Sequence, residues 1–165
     1  MGDQLTSWDS RDGLHSALIA QMSAGLSGVA YSNSDVGGYT MVKRAGLNFV
    51  RDAELLKRWA ESSAFADSMF RTHEGLLPDE SAQAWDDDVL PHFAKFATVF
   101  KMMWPVRKAV QDSEPGMPVM RSMWMHFPED AKTIGKRASW MFGSKSRAVV
   151  NIRDGVNVVF LSEKG

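Results

Sequence analysis

The sequence predicts an α/β fold in which helices and short strands alternate. Two observations carry that prediction. Stretches with apolar residues at helical spacing alternate with short apolar runs that lack it, and glycines or polar loops close each run. Three polar residues, Asp3, Asp35 and His73, also fall at the start of the chain and at the ends of the two expected strands, 32 and 38 residues apart.

The first helical pattern begins near Asp12, with Leu14, Leu18, Met22 and Leu26 at four-residue spacing, Ser10 or Asp12 as caps, and Gly25 and Gly28 as its stop. Val29 to Ser34 is short and lacks helical spacing, which predicts a buried strand delivering Asp35 and Gly37-Gly38 into a loop. A second helix is expected from about Asp52, burying Leu55, Leu56, Trp59 and Phe65, followed by a strand over Ser68–Thr72 that ends at His73. After a polar loop from Glu74 to Gln83, Asp86, Asp87 and Asp88 stand where a helix N-terminus favours acids. Leu90, Phe93, Phe96 or Ala97, Phe100 and Trp104 then form an apolar stripe, with a bend expected at Pro105. Past Pro115-Gly116 the texture turns to short β-prone runs, Pro118 to His126 and Arg147 to Leu161, the latter split by the turn signal Asp154-Gly155. A change of domain is therefore expected near residue 117, giving units 1–117 and 118–165.

The chain has 165 residues, 44% of them hydrophobic, enough for a domain with a core. Lys+Arg 19 against Asp+Glu 20 gives a net charge of -1, so no basic excess points to nucleic acid or to an anionic membrane. No apolar run approaches the ~18 residues of a membrane span. The absence of cysteine removes disulfides, thiolate nucleophiles and cysteine-ligated metals. The four histidines, His15, His73, His92 and His126, have no pairing at ligand spacing, so no metal is expected. These residues contain no secretory signal, which leaves location open with the cytoplasm favoured.

Spacings of 32 and 38 residues are what successive βα units of a (β/α)₈ barrel produce, since all strand C-termini open onto one face where active sites lie. Asp3, Asp35 and His73 would then converge on one pocket. The residues alone also admit a plainer reading, with Asp3 a frayed terminal residue, Asp35 an ordinary turn aspartate and His73 a satisfied core or loop histidine.

Five stretches add a resemblance. Gly2-Asp3-Gln4 with Trp8 five residues after Asp3, Leu26-Ser27-Gly28, Ser34-Asp35-Val36-Gly37-Gly38-Tyr39, Arg71-Thr72-His73-Glu74-Gly75 and Pro118-Val119-Met120-Arg121 resemble, in order, landmarks of glycoside hydrolase family 31. The resemblance covers about residues 1 to 130. It is weaker beyond, where Trp140-Met141-Phe142-Gly143 is similar to the start of the β-domain after the barrel. It implies the C-terminal part of a (β/α)₈ TIM barrel, around strands 6 to 8, followed by the start of an all-β domain. Asp3 would be the general acid/base, Asp35 would orient the pocket, and His73 would donate to sugar hydroxyls. Trp8 is read as packing. Tyrosine at position 39, where α-glucosidases usually have phenylalanine, and the run Arg71 to Gly75 resemble the sulfoquinovosidase branch, in which that hydroxyl helps hold the sugar's sulfonate. A packed aromatic with an incidental hydroxyl is the alternative.

The chemistry implied is retaining hydrolysis, in which one carboxylate attacks the anomeric carbon while a carboxylic acid protonates the leaving oxygen, the two about 5–5.5 Å apart. Asp3 would need a pKa raised by burial or by the nucleophile. The family's nucleophile is an aspartate on the fourth strand, and no copy of that motif occurs here. The expectation is therefore a piece of a larger enzyme, inactive alone, whose partners are an α-glycoside, sulfonated or neutral, and the missing N-terminal part of the same enzyme. No cofactor is implied. A non-catalytic remnant that folds with a partner or binds sugar, or a fragment of a generic α-glucosidase, stays open.

Overall fold

The structure is a computed structural model that describes residues 3–66, 68–134, 139–143 and 146–149, the last four through their backbone alone. Met1, Gly2, the expected strands from Val150 onward and the Asp154-Gly155 turn lie outside the described residues.

Helix α1 spans Leu14–Leu26 and buries Leu14, Ala17, Leu18, Gln21, Met22 and Gly25, so the four-residue spacing reads out as an inward stripe. Leu26, expected on that stripe, is exposed. Neither expected cap is used. Ser16 Oγ accepts the Gly13 N–H at 2.9 Å instead, and Asp12 Oδ1 accepts the Leu5 N–H at 3.0 Å, tying the chain start to the helix entry.

The strand expected over Val29 to Ser34 is not formed, and Val29 and Tyr31 are exposed. A ladder requires neighbours on which to build. Among the described residues this segment has one backbone tie back to α1, the Val29 N–H to the Ala24 carbonyl at 3.0 Å, and one to the second segment, the Ser68 N–H to the Ser32 carbonyl at 2.9 Å, and parallel pairing begins only at Val36 opposite Thr72. The second expected strand, Ser68–Thr72, is likewise reduced to that bridge.

An antiparallel hairpin that the sequence pass did not anticipate follows, β1 (Val42–Arg44) with β2 (Leu47–Phe49), Lys43 facing Asn48. It turns through Ala45 and Gly46, whose φ of 79° favours glycine. Helix α2 (Ala53–Ala66) starts where expected, with Asp52 Oδ1 accepting the Leu55 N–H at 2.7 Å. It carries the centre of the core: Leu55, Leu56, Trp59, Ala60, Ala64 and Phe65 are all buried.

Helices α3 (Leu90–Met102) and α4 (Trp104–Ser113) divide the third helical pattern at Met103. Pro105 stands in the first turn of α4, where its missing N–H costs no bond, so the interruption precedes the proline. The three aspartates also precede α3 rather than occupying its first turn. Asp86 Oδ2 accepts the Gln83 N–H at 2.7 Å. Phe93 and Phe100 pack on Phe70 with centroids 5.2 and 5.6 Å apart, whereas Leu90 and Trp104, at the ends of the expected stripe, are exposed.

Strands β3 (Met120–Ser122), β4 (Ser139–Phe142) and β5 (Ser146–Val149) form an antiparallel sheet in that order. Met120 and Trp140 join the same core as α1 and α2. Gly25 explains the fit against β3, since a Cβ there would lie 3.0 Å from Pro118. Buried Arg107 of α4 donates to the Ala64 and Phe100 carbonyls at 2.6 and 3.1 Å and lies over the Phe100 and Phe142 rings, joining α2, α3 and β4.

Candidate active site

Three segments lie side by side with the same direction. Gln4 O accepts the N–H groups of Tyr39 and Thr40 at 2.9 and 3.0 Å, Thr6 donates to Thr40 O at 3.1 Å, and Leu5 and Thr40 form a parallel bridge. On the other side, Val36 donates to Arg71 O at 2.8 Å and bridges Thr72, again in parallel. The middle segment thus joins residues 3–6 to residues 71–74. Parallel pairing puts the C-terminal ends of all three on one side.

Gly37 and Gly38 are required by this crowding. Both have φ near 88°, which side chains rarely adopt. A Cβ on Gly38 would sit 2.9 Å from Leu5 O and Thr6 Cα, and one on Gly37 would sit 2.6 Å from Arg51 Cδ and 2.7 Å from Leu56 Cδ1.

Asp35 is buried, and its carboxylate accepts two bonds from Arg71, Nε at 2.5 Å and Nη2 at 3.3 Å. The same hydrogen bonding, with the attraction of the carboxylate, holds the Arg71 guanidinium above its ordinary pKa. Tyr39 and His73 stack with ring centroids 4.2 Å apart and planes 23° from parallel. His73 Nδ1 lies 2.9 Å from the Tyr39 carbonyl oxygen. A carbonyl only accepts, so Nδ1 carries the proton, and in the neutral ring Nε2 is left as an acceptor. The expectation that His73 donates to a sugar hydroxyl therefore holds only for the imidazolium; the neutral ring would accept.

Asp3 is exposed, and among the described residues no hydrogen bond or ion pair engages its carboxylate. Its neighbour Gln4 meets Tyr39 through the backbone, so one peptide separates Asp3 from the segment that carries Tyr39. Trp8 is 40% exposed and donates Nε1–H to Asp52 Oδ2 at 3.3 Å, which links the first segment to the start of α2. The Tyr39 hydroxyl has no hydrogen-bond partner among the described residues, leaving a donor on a ring fixed by stacking.

Beneath these groups lies a cluster that sequence reasoning missed. Arg51 is 1% exposed, and its guanidinium reaches both Glu74 oxygens, at 2.9 and 2.8 Å, together with Thr72 Oγ1 and the His73 carbonyl, each at 3.3 Å. Thr72 Oγ1 also bonds Glu74 Oε1. Thr72 and Glu74 belong to the run Arg71 to Gly75, but the only sequence signal for Arg51 was a lone arginine between an apolar pair and the helix-capping Asp52. A cavity of about 290 Å³ lies elsewhere, lined among others by Gln21, Tyr31, Ser32, Trp104, Arg107 and Gln111. It adjoins the N-terminal parts of the two parallel segments, opposite the end at which barrel enzymes place their chemistry.

Residues 1–106 match the family described as Glycosyl hydrolases family 31 TIM-barrel domain. The chain is 37% identical over 145 residues to the sulfoquinovosidase of Escherichia coli K12, and 35% identical over 146 residues to that of Agrobacterium fabrum C58. These alignments cover 86% and 87% of this chain but 21% of each relative, so the chain spans about a fifth of their length. A solved family 31 sulfoquinovosidase from E. rectale, in complex with an aza-sugar inhibitor, superposes with a TM-score of 0.83 at 33% identity. That superposition covers 93% of this chain and 23% of the other. With the family match over residues 1–106 and relatives above 30% identity across most of its length, the chain belongs to glycoside hydrolase family 31.

Proposed function

We propose that this chain carries the acid/base and sugar-binding side of a retaining α-glycosidase acting on sulfoquinovosides, and that it works within a larger barrel. The observation that carries this reading is the parallel pairing of residues 3–6, 35–40 and 71–74, which gathers Tyr39, His73 and the Asp3 segment at one end. In the proposed reaction Asp3 protonates the leaving oxygen. The attacking carboxylate, about 5–5.5 Å away, comes from a barrel strand that is not part of this chain. Tyr39 donates its hydroxyl to the sulfonate, His73 Nε2 engages a ring hydroxyl, and Asp35, tied to Arg71, fixes the loop between them. Asp3 is exposed here, so the burial its acid role demands would be supplied by the rest of the barrel. Residues 1–117 form the C-terminal part of that barrel, around strands 6 to 8, and residues 118–165 begin the β-domain that follows.

The test is a chimera in which this chain replaces the matching segment of a complete homologous enzyme, assayed on aryl α-sulfoquinovoside and aryl α-glucoside. Turnover of the sulfonated substrate, reduced about a hundredfold or more by Asp3→Asn, is the expected result. Equal rates on both substrates would reduce the reading to a generic α-glucosidase. The exposure of Asp3 favours a second reading, a non-catalytic segment that folds with a partner and binds sugar. A chimera that binds the inhibitor but turns over neither substrate would select it.

A further inference from the structure

We propose that Arg51 is a positioning residue that acts through His73, setting the carbonyl from which the imidazole hangs. This rests on the reading of His73 as a sugar ligand and goes beyond it.

The guanidinium serves three stretches of chain at once. Nε donates to Ala82 O at 2.8 Å, Nη1 points to Val36 O at 3.5 Å and His73 O at 3.3 Å, and Nη2 takes both Glu74 oxygens. The Arg51 carbonyl accepts from Ala82 N at 2.8 Å, so the residue is fixed from its backbone as well. Burial pushes the guanidinium pKa down and Glu74 pulls it back, leaving a buried cation held by its partner.

Stability alone is a poor reason for this arrangement, because apolar residues of similar volume often fill such a site at no loss. What the planar group supplies is geometry: with Nε on Ala82 O and Nη2 on Glu74, Nη1 is held where it faces both the Val36 carbonyl, just after Asp35, and the His73 carbonyl. Gly37 lacks a side chain where Arg51 passes. The His73 ring then has two anchors, its own carbonyl through Arg51 and its Nδ1 through the Tyr39 carbonyl. Lysine could pair with Glu74, but its single nitrogen cannot also hold Ala82 O and the two carbonyls.

The experiment is a double-mutant cycle in the chimera, with kcat and KM measured on aryl α-sulfoquinovoside for wild type, Arg51→Lys, His73→Ala and the double variant. Arg51→Lys should lower kcat/KM roughly tenfold, mostly through KM, and by less than about twofold when His73 is already alanine. Equal losses in both backgrounds would mean that Arg51 holds the loops without acting through His73, which overturns the proposal. If Arg51→Lys does not fold, Glu74→Gln, which loosens one arm of the fork, is carried through the same cycle with the same criteria. Ring ¹⁵N shifts of His73 give a reading independent of turnover: a single Nδ1–H form in wild type should become a tautomer mixture in the variant. Unchanged shifts would overturn the proposal, whereas a chimera inactive on both substrates would sink the functional reading and leave this one to the shifts.

Discussion

Replacing Glu74 by glutamine tests the buried polar cluster with a change of one atom. The groups around the carboxylate are Arg51 Nη2, which reaches both oxygens, Ala84 N–H, which donates to Oε2 at 2.8 Å, and Thr72 Oγ1 at Oε1, whose one proton also lies within reach of the Val36 carbonyl. Glutamine has one acceptor and one two-proton donor, so whichever way the amide turns, its NH₂ faces an Arg51 N–H, and Ala84 N–H or the Thr72 hydroxyl loses the oxygen it meets now. It also removes the charge opposite an arginine whose side chain is fully buried, with Glu74 itself 14% exposed. Breaking a buried pair in this way costs about 3–5 kcal/mol, and the amide oxygen retains part of the bonding, so about 3 kcal/mol is expected. Hydrogen exchange in the chimera reads this locally. The amides of Ala82 and Ala84, held by Arg51 O and Glu74, should exchange roughly a hundredfold faster, while those within α1 stay unchanged. Neutralising Glu80, whose pairing with Lys43 is exposed, should change exchange by less than about threefold. Equal effects from the two substitutions would refute the claim that burial, rather than pairing, gives the cluster its strength.

Tyr39→Phe should lower kcat/KM on a sulfoquinovoside by roughly tenfold to a hundredfold, because a hydrogen bond to a charged group contributes ~1.5–3 kcal/mol. Hydrolysis of a neutral α-glucoside should change much less, and equal losses would remove the sulfonate role. Gly37→Ala should destabilise more than Gly46→Ala by about 1–3 kcal/mol in thermal melts, since both have positive φ but only Gly37 faces Arg51 and Leu56. The isolated chain should associate, because Leu90, Met102 and Trp104 are exposed on α3 and α4; a compact monomer with a cooperative melt on size-exclusion and calorimetry would contradict this. The same preparation should not hydrolyse either aryl glycoside above background, and turnover abolished by Asp3→Asn would reveal a nucleophile within these residues.

What the sequence made legible was periodic or locally capped. α1 and α2 were readable because Leu14, Leu18 and Met22, and then Leu55, Leu56 and Trp59, repeat at helical spacing and are buried in one core. The β1–β2 hairpin was not. Its strands are three residues long and carry Lys43, Arg44 and Asn48, so there was no alternation to find. Val29 to Ser34 reads as a strand by composition, but a strand is completed by its neighbours, and the segment has too few here to form a ladder. The site was half legible. Asp35, Tyr39 and His73 sit beside glycines and within short polar runs, whereas Arg51 and Glu74 are 23 residues apart and meet only through the fold.

The two candidate carboxylates illustrate how environment divides roles that the residue type leaves open. Asp35 has both oxygens taken by Arg71 and is enclosed between the neighbouring segments, so moving a proton there would first require breaking an ion pair. Asp3 is exposed and, among the described residues, unengaged. The acid role proposed for Asp3 needs a carboxyl that no ion pair locks, with its burial supplied by the rest of the barrel, while the loop-fixing role proposed for Asp35 needs the opposite. Tyr39 follows the same logic: its ring is held by His73 and its backbone by Gln4, and among the described residues its hydroxyl has no partner and can meet a ligand. Positional restraint at Asp35, His73 and the Tyr39 ring, combined with chemical freedom at the Asp3 carboxylate and the Tyr39 hydroxyl, is the division the proposed site requires, in which the binding side is preformed and the reacting partner would come from another part of a barrel.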